Sequence, residues 1–451
     1  MFTSRKLVAS FALFAFLGAI CLALPASWNG SGHCSWIDSL FTATSAVCVT
    51  GLTVVDTGKD FSPFGQVVVL LLIQGGGLGI ITFSNFLLLA MGRKLGLGAR
   101  AIVSETHGDV ADASPGRLVF WAILFTLAAE ALGAAALFFA FRGLGDAAHV
   151  AWLATFHSVS AFCNAGFSLF GPSLAEYRNN VWVNMTIMCL IVAGGLGFVV
   201  FHDIFSVYGP SKYRRGTRRR RLSLHSRIVL RTTLGLIVVG AAAIWIFELG
   251  NTFAGAPWYE DVLPSLFLSV TTRTAGFNTV DTSQLTNVTL LIVIVLMFIG
   301  ASPGSTGGGI KTTTFAVLWA SFQSQLNHRP DTEFLNRRVS SDTVAKAMTT
   351  TVGFALVAFA GVALLQITEY AGQSPGATRG WALEYLFETV SALGTVGLST
   401  GVTSKLTTLG KLVLIACMFV GRLGPLVVAV SFLGRRERLP YSLPEERVMI
   451  G

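Results

Sequence analysis

Charge is scarce in this chain. Only 12% of its 451 residues are Asp, Glu, Lys or Arg, about half the share of an ordinary soluble protein. Hydrophobic residues make up 53%, and the mean hydropathy is +0.66. So few charges cannot cover a water-facing surface, which excludes a soluble globule and points to a polytopic membrane protein. Cysteine is also sparse: Cys21, Cys34, Cys48, Cys163, Cys189 and Cys417, with no C-x-x-C pair. That excludes a disulfide framework and a zinc site. No nucleophile–base pair or metal-ligand cluster stands out, so no enzyme chemistry is legible. The net charge of +9 would suggest nucleic acid in a soluble chain. In an apolar one the positive-inside rule accounts for it, and no nucleic-acid partner is expected.

One small pattern recurs four times. It reads Ser45-Ala46-Val47-Cys48-Val49-Thr50-Gly51-Leu52, Ser160-Ala161-Phe162-Cys163-Asn164-Ala165-Gly166-Phe167, Val270-Thr271-Thr272-Arg273-Thr274-Ala275-Gly276-Phe277 and Ser391-Ala392-Leu393-Gly394-Thr395-Val396-Gly397-Leu398. The glycines lie 115, 110 and 121 positions apart. A period that long, repeated four times, predicts a ring made from one polypeptide.

Each repeat has one grammar. A first apolar run (7–24, 118–141, 228–249, 350–370) is near the ~20 residues that cross a bilayer. A shorter run follows (36–47, 151–162, 262–272, 383–393) and ends in the glycine pattern. A second apolar run closes the repeat (64–91, 181–208, 288–322, 409–433). The short runs cannot span, so they read as re-entrant helices, tolerated at membrane depth only where they line a protein cavity. The fold class expected is an all-α membrane protein with eight spans and four re-entrant pore helices around a pseudo-fourfold axis. The repeats occupy residues 1–95, 96–210, 211–330 and 331–451. The run 7–24 after Arg5 and Lys6 reads as a retained first span rather than a signal peptide, since Pro25-Ala26-Ser27-Trp28 is a poor cleavage site. With a cytoplasmic N-terminus, both termini and the links between repeats hold 23 of the 32 Lys and Arg residues. Seven fall outside, Arg273 among them, and Lys311 and Arg422 fall within second runs. This asymmetry supports that orientation. The basic run from Lys212 to Arg221 is either a topology anchor or a site for anionic lipid or a partner.

A dehydrated cation needs several oxygens at close range, and backbone carbonyls supply them without net charge. Glycine reaches the backbone angles that turn a strand this way. Each short helix also aims its partly negative C-terminus at the ring. The candidate filter is therefore Cys48 to Leu52, Cys163 to Phe167, Arg273 to Phe277 and Gly394 to Leu398, binding a cation on its carbonyls. No acidic ring accompanies the glycines, which argues against a calcium-type filter. Arg273 and Glu388 are placed to pair behind the filter and brace it. The alternative for Glu388 is to attract cations at the outer mouth. Glu130 and His157 read as packing residues.

The second runs are interrupted at comparable depth, 26 to 29 residues after the glycines, at Gly77, Gly195, Gly304 and Gly424. The third interruption, Gly300-Ala301-Ser302-Pro303-Gly304-Ser305-Thr306-Gly307-Gly308-Gly309-Ile310-Lys311, holds too much glycine and proline for steady helix. It is not a phosphate loop, because Ile310 separates Gly309 from Lys311. Arg422 puts a charge at membrane depth, where it must face a protein interior.

In these motifs the chain resembles the Ktr/Trk/HKT superfamily of potassium transporters, most like its KtrB-type membrane subunits. The tail from Pro444 to Gly451 adds to the likeness. The resemblance implies a homodimer in the bacterial inner membrane, gated by a cytosolic KtrA-type ring that carries ATP or ADP. The chain itself needs no cofactor; potassium is the transported ion and sodium a candidate activator. Some plant relatives with serine at the first glycine favour sodium, so Gly51 points to potassium. With one dependable glycine per loop, moderate discrimination against sodium is expected. The gate is expected to comprise the loop Gly300–Lys311, with Ser302 to Gly309 at its centre, together with Arg422. A sodium- or proton-coupled symporter and a channel for another cation remain as alternatives. The repeats all run in one direction, which favours a pore over the inverted repeats of symporters.

Overall fold

The computed structural model describes residues 2–30, 35–78, 115–208, 221–255, 257–370, 378 and 380–433. The expected far half of the first repeat's second run, the repeat boundaries near 95 and 210, most of the basic run 212–221, Cys34 and the C-terminal tail lie outside the described residues.

Among the described residues the sequence grammar becomes fifteen α-helices. The first runs form α1 (Phe2–Ala23), α4 (Pro115–Ala140), α8 (Leu224–Glu248) and α12 (Ser341–Glu369). The short runs form α2 (Trp36–Cys48), α5 (Ala147–Phe162), α9 (Trp258–Thr271) and α13 (Trp381–Gly394). At 13 to 16 residues they reach about 20–24 Å, against ~30 Å of hydrocarbon. The second runs form α3 (Pro63–Gly77), α6 with α7 (Val181–Leu196, Phe198–Tyr208), α10 with α11 (Asn287–Phe298, Thr312–Leu326) and α14 with α15 (Thr408–Leu423, Pro425–Leu433). A two-stranded hairpin, β1 (Glu333–Phe334) and β2 (Arg337–Arg338), joins α11 to α12.

Hydroxyl and amide caps start the second run of every unit. Ser62, Asn180, Thr286 and Thr407 accept from the backbone N–H three residues on, satisfying donors that lipid would leave bare.

Among the described residues three helices are long and apolar enough to cross a membrane, α4 (over Val119–Ala140), α8 and α12, or five if each bent pair counts as one span. Two of the second runs bend instead of continuing straight. Gly197 and Gly424, at φ of 83° and 87°, bend α6–α7 by 93° and α14–α15 by 97°. Side-chain-bearing residues resist that backbone angle, and Pro425 cannot supply the N–H that would continue α14.

Packing is cyclic. Each first helix lies against the short helix of its own unit. Each second helix then lies against the short helix of the next: α3 on α5, α6 on α9, α10 on α13, and α14 back on α2. Four glycines, Gly18, Gly133, Gly240 and Gly361, let each first helix approach the second helix of its own unit, since a Cβ there would crowd Leu72, Leu190, Leu296 or Cys417. Leu132, Phe359 and Ile367 point outward at 73–77% exposure. Apolar faces turned outward around a polar-lined centre suit a lipid solvent.

The contact from the last unit to the first carries an ion pair. Lys411, in the first turn of α14, reaches Asp38 of α2 at 2.6 Å, with the side chains 14% and 18% exposed. Ser35 donates to the other carboxylate oxygen at 2.7 Å. Removing one partner leaves a largely desolvated charge, so Asp38→Asn or Lys411→Met should each destabilise the fold by about 1–3 kcal/mol. Thermal unfolding in detergent reads this, and the exchanged pair Asp38→Lys with Lys411→Asp should recover part of the loss.

Candidate functional site

The four loops that follow the short helices share one construction. Val49, Asn164, Thr274 and Thr395 have φ of 56°, 61°, 72° and 52°, and the glycines two residues later have 89°, 69°, 79° and 91°. Between each pair, the N–H of Thr50, Ala165, Ala275 or Val396 turns back to Ser45, Ser160, Thr271 or Ser391 at 2.7–2.9 Å. The side chains of those same hydroxyl residues hold the strand. Ser45 and Ser391 accept from Gly51 and Gly397, each at 3.1 Å. Ser160 and Thr271 donate to the carbonyls of Phe167 and Phe277 at 2.7 and 2.8 Å. Sequence reading missed this tie. Its signal was present in the recurring Ser-Ala before each loop, and in the third unit the hydroxyl moves one residue along, from the place of Val270 to Thr271.

The glycines meet. A Cβ built on Gly51 would strike the Ala165 carbonyl and lie 3.0 Å from the Cα of Gly166. One on Gly166 would lie 2.7 Å from the Ala275 carbonyl, and one on Gly276 would lie 2.6 Å from the Val396 carbonyl. One on Gly397 would strike the Thr50 carbonyl, returning to the start. No side chain fits between these backbones. All four glycines floor a single open cavity of about 710 Å³, whose walls come from the residues after each glycine, among them Asp56, Ser168, Asn278, Asp281 and Thr400.

Residues before the glycines in the second, third and fourth loops, Phe162, Thr274 and Thr395, meet the segment from Gly300 to Lys311, whereas the cavity is lined by the glycines and the residues after them. The segment is a folded-back loop closed by a parallel bridge between Ile299 and Ile310. Ser302 N–H donates to Gly195 O at 3.0 Å. Thr306 bonds Gly194 O through its N–H (3.3 Å) and Phe162 O through its hydroxyl (3.3 Å). Ser305 donates to Ser302 O (2.6 Å), and Thr312 donates to Ser302 Oγ (3.0 Å). Lys311 turns its ammonium onto the loop's own carbonyls at Gly307 (2.7 Å) and Gly308 (3.4 Å). Pro303 and Gly304 rest against Gly197 at the α6–α7 bend.

Arg422 ties this loop to the first unit. Its guanidinium donates to Thr306 O in the loop and to Gly76 O at the end of α3. Its acceptors are backbone carbonyls, so the charge is stabilised by dipoles.

The expected pair of Arg273 and Glu388 does not form. Arg273 is buried at 4% exposure and donates to Gly300 O at 2.5 Å, anchoring the start of the loop. Glu388 accepts from the Ser399 and Thr403 hydroxyls (2.6 and 2.5 Å) and the Thr400 N–H (3.0 Å), bracing the strand after Gly397. Arg273 braces the loop at Gly300 and Glu388 the strand after Gly397, and the partners that each side chain reaches were invisible in the sequence. His157 is a packing residue, bonded to Leu153 O (2.8 Å) and Ser168 (3.0 Å) and stacked on Phe170. Glu130 accepts from Gln74 at 3.2 Å.

Outward apolar faces, short helices that end inside, and a cavity floored by four backbone turns define a membrane transport protein. The TrkH family model, described as a cation transport protein, matches residues 4–438, and the chain belongs to that family; it is a transporter, not an enzyme. It is 37% identical over 455 residues to the Ktr system potassium uptake protein B of Bacillus subtilis, covering 100% of this chain and 97% of the relative. It is 38% identical over 455 residues to the Vibrio alginolyticus protein of the same name, covering 97% and 94%. To the potassium/sodium uptake protein NtpJ of Enterococcus hirae it is 34% identical over 454 residues, covering 99% and 97%. The crystal structure of the potassium transporter TrkH from Vibrio parahaemolyticus shares the fold, with a TM-score of 0.73 at 19% identity over 94% of this chain and 83% of that one.

Glu388→Gln replaces one of the two accepting oxygens by an NH2, which then faces either the Thr403 hydroxyl or the Ser399 hydroxyl and Thr400 N–H. The variant should lose about 2 kcal/mol, read as a lower thermal midpoint in detergent. An unchanged midpoint would remove the carboxylate as the brace of the fourth loop.

Proposed function

We propose that this chain is the ion-conducting subunit of a bacterial potassium uptake system. The observation that carries the reading is the closed circuit of Gly51, Gly166, Gly276 and Gly397, each pressed on the carbonyl before the next. Four turns held this way supply peptide oxygens around one axis, which is how a small cation is stripped of water. The residues from Cys48 to Leu52, Cys163 to Phe167, Arg273 to Phe277 and Gly394 to Leu398 form the filter. The loop Gly300–Lys311 lies across the path on the other side and, with Arg422, is its gate. The names of the Bacillus and Vibrio relatives support potassium as the ion.

The proposal extends to four units near 1–95, 96–210, 211–330 and 331–451, with both termini cytoplasmic as the distribution of Lys and Arg indicates. It includes a homodimer in lipid and a KtrA-type nucleotide-binding ring, since the relatives are named as components of a Ktr system. Sodium acts on the gate in this reading. The Enterococcus relative, named for potassium and sodium uptake, favours the second reading, in which sodium is carried as a coupled ion.

Rubidium flux into liposomes, with and without sodium and the regulatory ring, tests the function. The full chain should also rescue a potassium-uptake-deficient bacterium on low-potassium medium. Gly276→Ala should lower flux at least about tenfold, because a methyl at that φ is strained and meets the Val396 carbonyl. Deleting Ser302–Gly309, or changing Arg422→Ala, should raise flux. Flux unchanged or lower in these last two, in protein that still folds, counts against the gate.

A further inference from the structure

The loop Gly300–Lys311 touches several parts of the ring, but the four turns do not hold it equally. The side chain two residues before each glycine belongs to Val49, Asn164, Thr274 and Thr395. Val49 has no polar atom. Asn164 directs its amide to Arg273 O (3.2 Å) and Thr274 Oγ1 (3.3 Å), within the ring. Thr395 Oγ1 alone among the four accepts an N–H of the loop, from Gly308 at 3.1 Å. Thr395 is fully buried, and the approach is tight. A Cβ on Gly308 would meet Thr395 Oγ1 and lie 2.9 Å from its Cγ2. On the other arm of the loop, Arg273 holds Gly300 O.

We infer that the Thr395 hydroxyl is the catch that holds the loop against the ring, so that withdrawal of the loop and release of the fourth filter turn are one event. This rests on reading the loop as the gate. The physical reason is the backbone N–H of Gly308. In a dry interior it needs an acceptor, and the hydroxyl supplies it only while the loop is in place. Losing that bond shifts the balance toward withdrawal by about tenfold, the scale of one buried hydrogen bond. Thr395 is a positioning residue here, acting through Gly308. The fourth unit thereby holds the loop at two points, Thr395 on Gly308 and Arg422 on Thr306, while the second unit contributes the backbone carbonyls of Gly194, Gly195 and Phe162.

The test places a reporter thiol in the full-length chain, Ser305→Cys, and follows its modification by a water-soluble thiol reagent, resolved by peptide mass spectrometry. Rubidium flux is measured in parallel. Thr395→Val removes the acceptor at constant shape and should raise both the labelling rate and the flux about tenfold. Thr395→Ser keeps the hydroxyl and should return both toward the parent. Gly308→Ala, which drives a methyl into Thr395, should also raise labelling. Flux that rises while labelling stays constant would place the role of the hydroxyl inside the filter and overturn the inference. So would Thr395→Val and Gly308→Ala variants that label like the parent. If labelling responds as expected but no variant, the loop deletion included, carries rubidium, the catch stands and the pore reading fails.

Discussion

The structure depends on one constraint: four lengths of backbone must approach one another more closely than any side chain allows. Around Gly51, Gly166, Gly276 and Gly397 the nearest atoms of the next loop are a carbonyl oxygen and a glycine Cα. Backbone brought together inside an apolar medium is stable only if protein groups satisfy its donors and acceptors. The hydroxyls of Ser45, Ser160, Thr271 and Ser391 do this from the helix ends, and Glu388 does it from the far side of the fourth loop. The short helices, capped at their starts in the first two units by Ser35 and Asp146, deliver the chain to the centre with their carbonyl ends inward.

The four units are alike at the ring and unlike beneath it. The second-run helices of the first, second and fourth units each carry a glycine, Gly76, Gly194 and Gly421, seated on the carbonyl of Val47, Phe162 or Leu393. The third inserts twelve residues of loop, and the fourth supplies a guanidinium that crosses to that loop and to Gly76. Symmetry at the ring suits an ion, which has none of its own to match. Asymmetry below it suits a gate, since a single loop can close a path that four equal walls would leave open. The charges of Arg422, Lys311 and Arg273 all rest on carbonyls of the loop or of the helix beside it. The loop is thus held by cation–dipole contacts that are strong in a low dielectric and leave no buried carboxylate behind when they break.

Much of this was legible in the chain. The short helices begin within four residues of where the apolar runs indicated, because their length and the glycine after them are local properties. The breaks in the second runs were legible for the same reason: Gly197, Gly300 to Gly309 and Gly424-Pro425 cannot continue a helix anywhere. What the breaks do was not. A glycine permits a bend without setting its angle, so the turns of 93° and 97° could not be read from it. The partners of Arg273 and Glu388 also escaped, because opposite charge at matching positions suggested a pair, while each side chain found backbone or hydroxyl partners nearer its own loop.

The amino-acid sequence alone determined where the four short helices and the glycine turns after them fall, and that an irregular segment follows α10. These follow from hydrophobic length and from the angles that glycine and proline allow, which act within a few residues. Only the tertiary structure decided the order in which the loops abut, the closure of α14 on α2 through Lys411 and Asp38, the carbonyls that Arg422 reaches and the Gly308 N–H that Thr395 accepts. Those contacts link residues up to 373 positions apart. They depend on where whole helices come to rest, which no local preference encodes.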